Sequence, residues 1–198
     1  MIHHRVLAPV DYRRMPWRNG GGRTTEIAAH PSAAALDAFD WRVSIADVAR
    51  DGPFSAFAGV DRTIVLIAGA GMRLAGDRHV AQLHVPFEPY SFSGDDAIHC
   101  TLHGGPVRDF NLMVRRGRAN GTLAIARNAG TRVAPARFRL CYSAVGASEC
   151  LFAGHPPLTV ATDHALLIED ESASAVALAV NPLAGDAVAI VVRVDLVA

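Results

Sequence analysis

Seven residues carry the groups with which this chain could recognise or transform a small polar molecule: Asn19, Glu26, Arg42, Ser44, Arg62, Asp109 and Asn111. An arginine guanidinium is a planar fork that meets a carboxylate through two parallel hydrogen bonds. Arg42 and Arg62 both stand among apolar neighbours in strand-like segments, a costly position unless each has an anionic partner. Asp47, Asp61 or Glu26 could be that partner in a purely structural ion pair, or a bound organic acid could be. Glu26 and Asp109 are also the carboxylates that could serve as a general base, were a reaction catalysed.

Other chemistries find little support. No GxSxG turn is present, and His99 points away from Cys100 if both lie in one strand, so nucleophilic catalysis has no machinery. His79 and His84 fall on opposite strand faces. His99 and His103 share a face but stand about 13 Å apart along a strand, too far to hold one metal ion. We therefore expect no metal, no cofactor and no catalytic residue. The three glycines Gly20, Gly21 and Gly22 do not form a phosphate loop, because a strand follows them where a helix would be needed. They suggest a loop over a site, pinned by Trp17.

The segments that must position these groups are almost all of period two. Trp41–Asp47 alternates apolar and polar residues, as does Asp109–Arg115, and Arg62–Ile67 is apolar beyond its first residues. Strand parity puts Asp109, Asn111 and Met113 on one face of their segment, and Arg42 and Ser44 on one face of theirs. Facing inward, these groups line a pocket; facing outward, they are an ordinary solvated surface. Patterning alone leans outward. Short strands with glycine- and proline-containing turns recur to the end of the chain, which predicts an all-β sandwich or barrel. Helical signal is confined to a turn or two near residues 32–36.

Several of these segments carry an unusual set of residues: Pro16-Trp17-Arg18-Asn19-Gly20-Gly21-Gly22 with Thr24 and Glu26, Trp41-Arg42 with Ser44 and Ala46-Asp47-Val48, and Asp51-Gly52-Pro53-Phe54-Ser55. With Gly59-Val60-Asp61-Arg62, Phe92, Gly94-Asp95, Gly105-Pro106-Val107 and Asp109-Phe110-Asn111-Leu112-Met113, this order resembles the HutD/Ves family over residues 16–115. Residues 120–198 resemble it only in length and strand richness. The resemblance implies a two-lobed cupin-like β-barrel (a bicupin) without the usual cupin metal ligands. It further implies a binding or regulatory role that limits bacterial histidine utilisation, with a small organic acid such as urocanate or an N-formyl or N-formimino glutamate as ligand. On that analogy the seven polar residues face a pocket. The expected lobes are 1–118, with the pocket, and 119–198, in support.

Composition agrees with a folded protein of zero net charge. Of 198 residues, 51% are hydrophobic and 19% charged, with zero formal net charge and arginine as the sole basic type besides histidine. Nothing resembles the cationic stripe of a nucleic-acid binder. The start lacks a signal-peptide pattern, no run of ~18 apolar residues could cross a bilayer, and three widely spaced cysteines suit a reducing compartment. We expect a cytoplasmic protein with no membrane partner. Two other readings stay open: an enzyme acting on a small acid through Glu26 or Asp109, and an interaction module whose exposed strand edges pair into a homodimer.

Overall fold

The computed structural model describes residues 1–17, 20–32, 34–35, 38–77, 80–171 and 177–197, and among them the regular structure is entirely β. In chain order the strands are β1 (Ile2–Leu7), β2 (Arg13–Pro16), β3 (Gly22–His30), β4 (Trp41–Val48), β5 (Gly52–Pro53), β6 (Val60–Ala68), β7 (Met72–Ala75), β8 (Val80–Leu83), β9 (Pro89–Ser93), β10 (His99–Leu102) and β11 (Val107–Arg115). There follow β12 (Ala119–Ala126), β13 (Thr131–Val133), β14 (Phe138–Val145), β15 (Ser148–Leu151), β16 (Leu158–Val160), β17 (Ala165–Asp170), β18 (Leu178–Pro182) and β19 (Val188–Leu196). Among the described residues no helix is long and apolar enough to cross a membrane.

The chain divides into two compact units, Arg13–Ala119 and a second made of Met1–Tyr12 with residues 120–198. The expected leading lobe spans all of residues 1–118. The structure moves the first twelve residues out of it, because β1 pairs antiparallel with β17 from Ile2 opposite Asp170 to Leu7 opposite Ala165. A pairing between strands so distant in the chain leaves no local trace in the sequence.

In the leading unit a six-stranded sheet, ordered β2-β3-β4-β11-β6-β9, is accompanied by a four-stranded one, ordered β5-β10-β7-β8. The apolar residues of Trp41–Val48 and Val60–Ala68 are β-branched or aromatic at most positions, which favours the pleated conformation over helix. Ala46, Val48, Ile64, Leu66 and Val107 from the large sheet pack with Met72, Leu74, Leu83 and Cys100 from the small one. Burying a side chain such as Ile64 or Leu66 fully contributes about 1.5–3 kcal/mol. The same face of the large sheet turns polar toward the other end of β4 and β6, at Arg42, Ser44 and Arg62. One end of the inter-sheet space is therefore filled with hydrocarbon, and the other holds a hollow.

The second unit repeats the plan with sheets β1-β17-β14-β19-β12 and β13-β18-β15-β16. Its buried cluster is apolar and includes Cys141, Cys150, Phe152, Leu166, Ile168 and Val191.

Candidate functional site

Register builds the floor of the hollow. β4, β11 and β6 run side by side, so Arg42 lies opposite Met113 and Met113 opposite Arg62. The next rows set Ser44 beside Asn111, with Glu26 of β3 beyond Ser44, and then Ala46 beside Asp109. Arg42, Ser44, Arg62, Asp109, Asn111 and Met113 all line one cavity of about 500 Å³. The inward orientation of these faces, against which patterning leaned, is the one the fold adopts. All five polar members are buried.

The electrostatics of the two arginines differ. Arg42 Nε donates to Glu26 Oε2 at 2.7 Å, and Arg13 Nη2 reaches the same oxygen at 3.3 Å. Glu26 is thus not part of the cavity lining but stands beside Arg42 as its counter-ion. Arg42 keeps a buried Nη2 without a hydrogen-bond partner. Arg62 is seated among rings: its guanidinium carbon is 4.9 Å from the centroid of Phe92, 5.5 Å from Phe54 and 5.6 Å from Phe57. Aromatic faces attract a cation, more so when water is excluded. Its Nη1 donates to the Ser55 carbonyl at 3.3 Å, while Nε has no partner. Burial pulls Arg62 down to about 10, with Asp109 opposing that shift and Arg42 adding to it.

Asp109 is fully buried, and neither carboxylate oxygen has a hydrogen-bond partner. Burial pushes its carboxyl up to about 7, against the pull of Arg62 and with a contribution from Asp47. A register shift in the β11–β6 pairing falls between Arg108 and Asp109. Bulges of this kind re-aim side chains near sites. Asn111, two residues further along the same face, has a buried and unpartnered Oδ1.

The glycine-rich loop acts through its anchor. Trp17 lines the cavity, donates Nε1–H to Thr24 Oγ1 at 2.8 Å, and meets Phe54 edge-on at 6.4 Å. The Trp17 amide donates to the Gly22 carbonyl at 3.0 Å, and Gly20 takes a φ of 65° that glycine tolerates. Gly20, Gly21 and Gly22 are not part of the lining, so they shape the turn and do not cover the hollow. Asn19 lies outside the described residues. A Cβ on Gly22 would sit 2.4 Å from the Asp47 carbonyl oxygen and 3.1 Å from the Trp17 ring. Gly22→Ala should therefore cost about 1–3 kcal/mol in urea denaturation, the usual scale for forced overpacking. Gly52→Ala, where a Cβ meets nothing within 4 Å, is the control expected to cost nothing.

Sequence reasoning missed Met15, Pro16, Pro53, Phe54, Ser55 and Phe57 as cavity residues. Phe54, which follows Pro53, and Phe57 are the available signal, since two large rings in a loop need something to pack against. Among the described residues no three His, Cys, Asp or Glu side chains are grouped as a metal ion would require. His103 Nε2 instead lies 2.9 Å from Gln82 Oε1, and His79 lies outside the described residues.

The family model for HutD matches residues 9–184 of this chain. The chain belongs to the HutD family. A Pseudomonas putida relative, an uncharacterized 21.2 kDa protein in the hutC 3′ region, is 47% identical over 113 residues, covering 57% of this chain and 59% of that protein. Protein Ves of Citrobacter koseri is 39% identical over 120 residues, covering 59% and 62% respectively. The chain thus spans less than two thirds of the length of the curated relatives it matches. Among solved structures, a conserved protein of unknown function from Pseudomonas aeruginosa PAO1 superimposes with a TM-score of 0.87 at 36% identity, covering 98% of this chain and 99% of that one. HutD from Pseudomonas fluorescens SBW25, in a formate condition, gives 0.81 at 32% identity over 98% and 99%. Oxalate decarboxylase from Lactobacillus farciminis gives 0.65 at 6% identity over 97% and 85%, a likeness of fold alone, and that fold is the cupin barrel. This HutD-family protein is accordingly an all-β, cupin-like chain from a family associated with histidine utilisation.

Proposed function

We propose that this protein binds a small organic acid in the Arg42–Arg62 cavity and, through that binding, regulates or limits histidine utilisation. The observation that carries the reading is Arg62, a buried guanidinium held by three rings and one carbonyl, with Asp109 near it but not hydrogen-bonded. A buried guanidinium with an unpartnered N–H is suited to a carboxylate, which meets it through charge-assisted hydrogen bonds. The formate condition of the Pseudomonas fluorescens structure is compatible, formate being the smallest carboxylate. Urocanate and the N-formyl and N-formimino glutamates are the acids of choice to test. At about 100 times its dissociation constant, a ligand that binds only the folded state adds about 2.7 kcal/mol. The melting temperature should rise with at least one of these acids and stay fixed in Arg62→Ala. No shift with any of them would end the reading.

Catalysis is the second reading, favoured by Asp109, whose unpaired carboxylate near pH 7 has the properties of a general base. Glu26 is poorly suited, because Arg13 and Arg42 both hold its Oε2. Turnover of the same acids, lost in Asp109→Asn while binding persists, would support catalysis. Binding without turnover would leave the regulator.

A further inference from the structure

The buried charges beside the cavity sum to zero before any ligand arrives. Arg42 is offset by Glu26, to which its Nε donates at 2.7 Å. Arg62, the other buried guanidinium of the lining, has Asp109 as the anion that acts on it. The two carboxylates are held differently. Glu26 Oε2 accepts from both Arg13 and Arg42, whereas neither oxygen of the fully buried Asp109 has a hydrogen-bond partner. A carboxylate bound at the arginines adds one negative charge to this space, and in a low dielectric its repulsion acts well beyond contact distance. Of the groups present, Asp109 is the one with least to hold it ionised.

We propose that the acid enters this cavity together with one proton from solvent, and that Asp109 is the group that takes the proton up. Acid and proton then arrive as a neutral pair, and the zero sum is kept. This rests on the acid-binding reading above and adds a control to it: for any acid bound there, occupancy depends on pH. The charged and titratable groups around Asp109 are Arg62 of β6, Arg42 and Asp47 of β4, Glu26 of β3 behind Arg42, and Cys100 of β10. Asp47 is itself paired with Arg23 and Arg108. Burial pulls Arg62 down to about 10 and pushes the Cys100 thiol up to about 12, so neither changes charge between pH 6 and pH 8.5. Burial, the chief cause, already places the Asp109 carboxyl at about 7, and a second anion nearby raises it further. Below that value the proton is already in place and affinity is flat. Above it each ligand must bring one, and affinity falls by up to about tenfold per pH unit.

The test is titration calorimetry on the whole protein with N-formyl-L-glutamate and formate, probes whose carboxylates stay ionised from pH 6 to pH 8.5. Each is titrated at pH 8 in HEPES and in Tris, buffers of unlike ionisation heat, so that the difference in measured heat counts the protons taken up. Close to one proton per ligand should be bound at pH 8, and almost none at pH 6. The dissociation constant should be up to about thirtyfold larger at pH 8.5 than at pH 6. In Asp109→Asn both the uptake and the pH dependence should vanish, and Asp109→Ser serves the same purpose if the asparagine variant does not fold. Binding without proton uptake at pH 8, or with proton release, would overturn the proposal and leave the acid-binding reading in place. Uptake that persists in the Asp109 variants would do the same, by assigning the proton to another group. Binding of neither probe would overturn it as well, and the acid-binding reading falls with it if no pathway acid shifts the melting temperature.

Discussion

Asp109→Asn is expected to gain stability relative to the wild type as pH rises, by on the order of 4 kcal/mol between pH 4 and pH 8. The folded carboxyl titrates at about 7 against an ordinary 3.8, chiefly because burial penalises its charged form. Between those values the unfolded chain has released the proton while the folded chain still holds it. Wild-type stability therefore falls through this window from that residue alone, and levels off once the folded group has ionised. An asparagine does not titrate, so the variant lacks this slope. The attraction between Asp109 and Arg62 acts only once Asp109 has ionised and is already contained in that value of about 7, so it adds no separate offset. Urea denaturation of both proteins at half-unit pH intervals gives the difference directly. A difference that stays flat across pH 4–8 would mean that Asp109 is solvated or paired in solution.

The second large effect belongs to the pair behind the cavity floor. Glu26→Ala should destabilise the protein by about 3–5 kcal/mol, the cost of leaving one member of a buried ion pair uncompensated. The side chains of Arg42 and Glu26 are 3% and 8% exposed, so solvent cannot take the place of the missing carboxylate. Glu26→Gln should cost less, because an amide oxygen can still accept from Arg42 Nε. Arg13 contacts the same carboxylate but is 44% exposed, and Arg13→Ala should cost no more than about 1 kcal/mol. Denaturation midpoints with unchanged m-values would read all three. Equal losses for Glu26→Ala and Arg13→Ala would place the stabilising contact outside the Arg42 pair.

The sequence made the strands legible because their side chains alternate, and with them the grouping of Asp109, Asn111 and Met113 and of Arg42 with Ser44. It could not tell which way these faces look, since a polar row on a strand is the same string in a cavity or in water. Fold resemblance supplied that direction. Glu26, expected at the ligand, instead accepts from Arg42 Nε, and the register shift between Glu26 and Ala28 falls opposite Ser44 and Val43. Phe54 and Phe57 signal that their loop packs on something, but not that it packs on Arg62, because periodicity says nothing about direction in an irregular segment. The partner of β1 was equally hidden, as pairing across most of the chain depends on topology and not on local composition.

The three rings around Arg62 also set a tempo. They hold the guanidinium in place ahead of any ligand, so a carboxylate bound as proposed would cost little ordering entropy in that side chain. On the acid-binding proposal, related acids would arrive at similar speed and differ chiefly in how long each one stays.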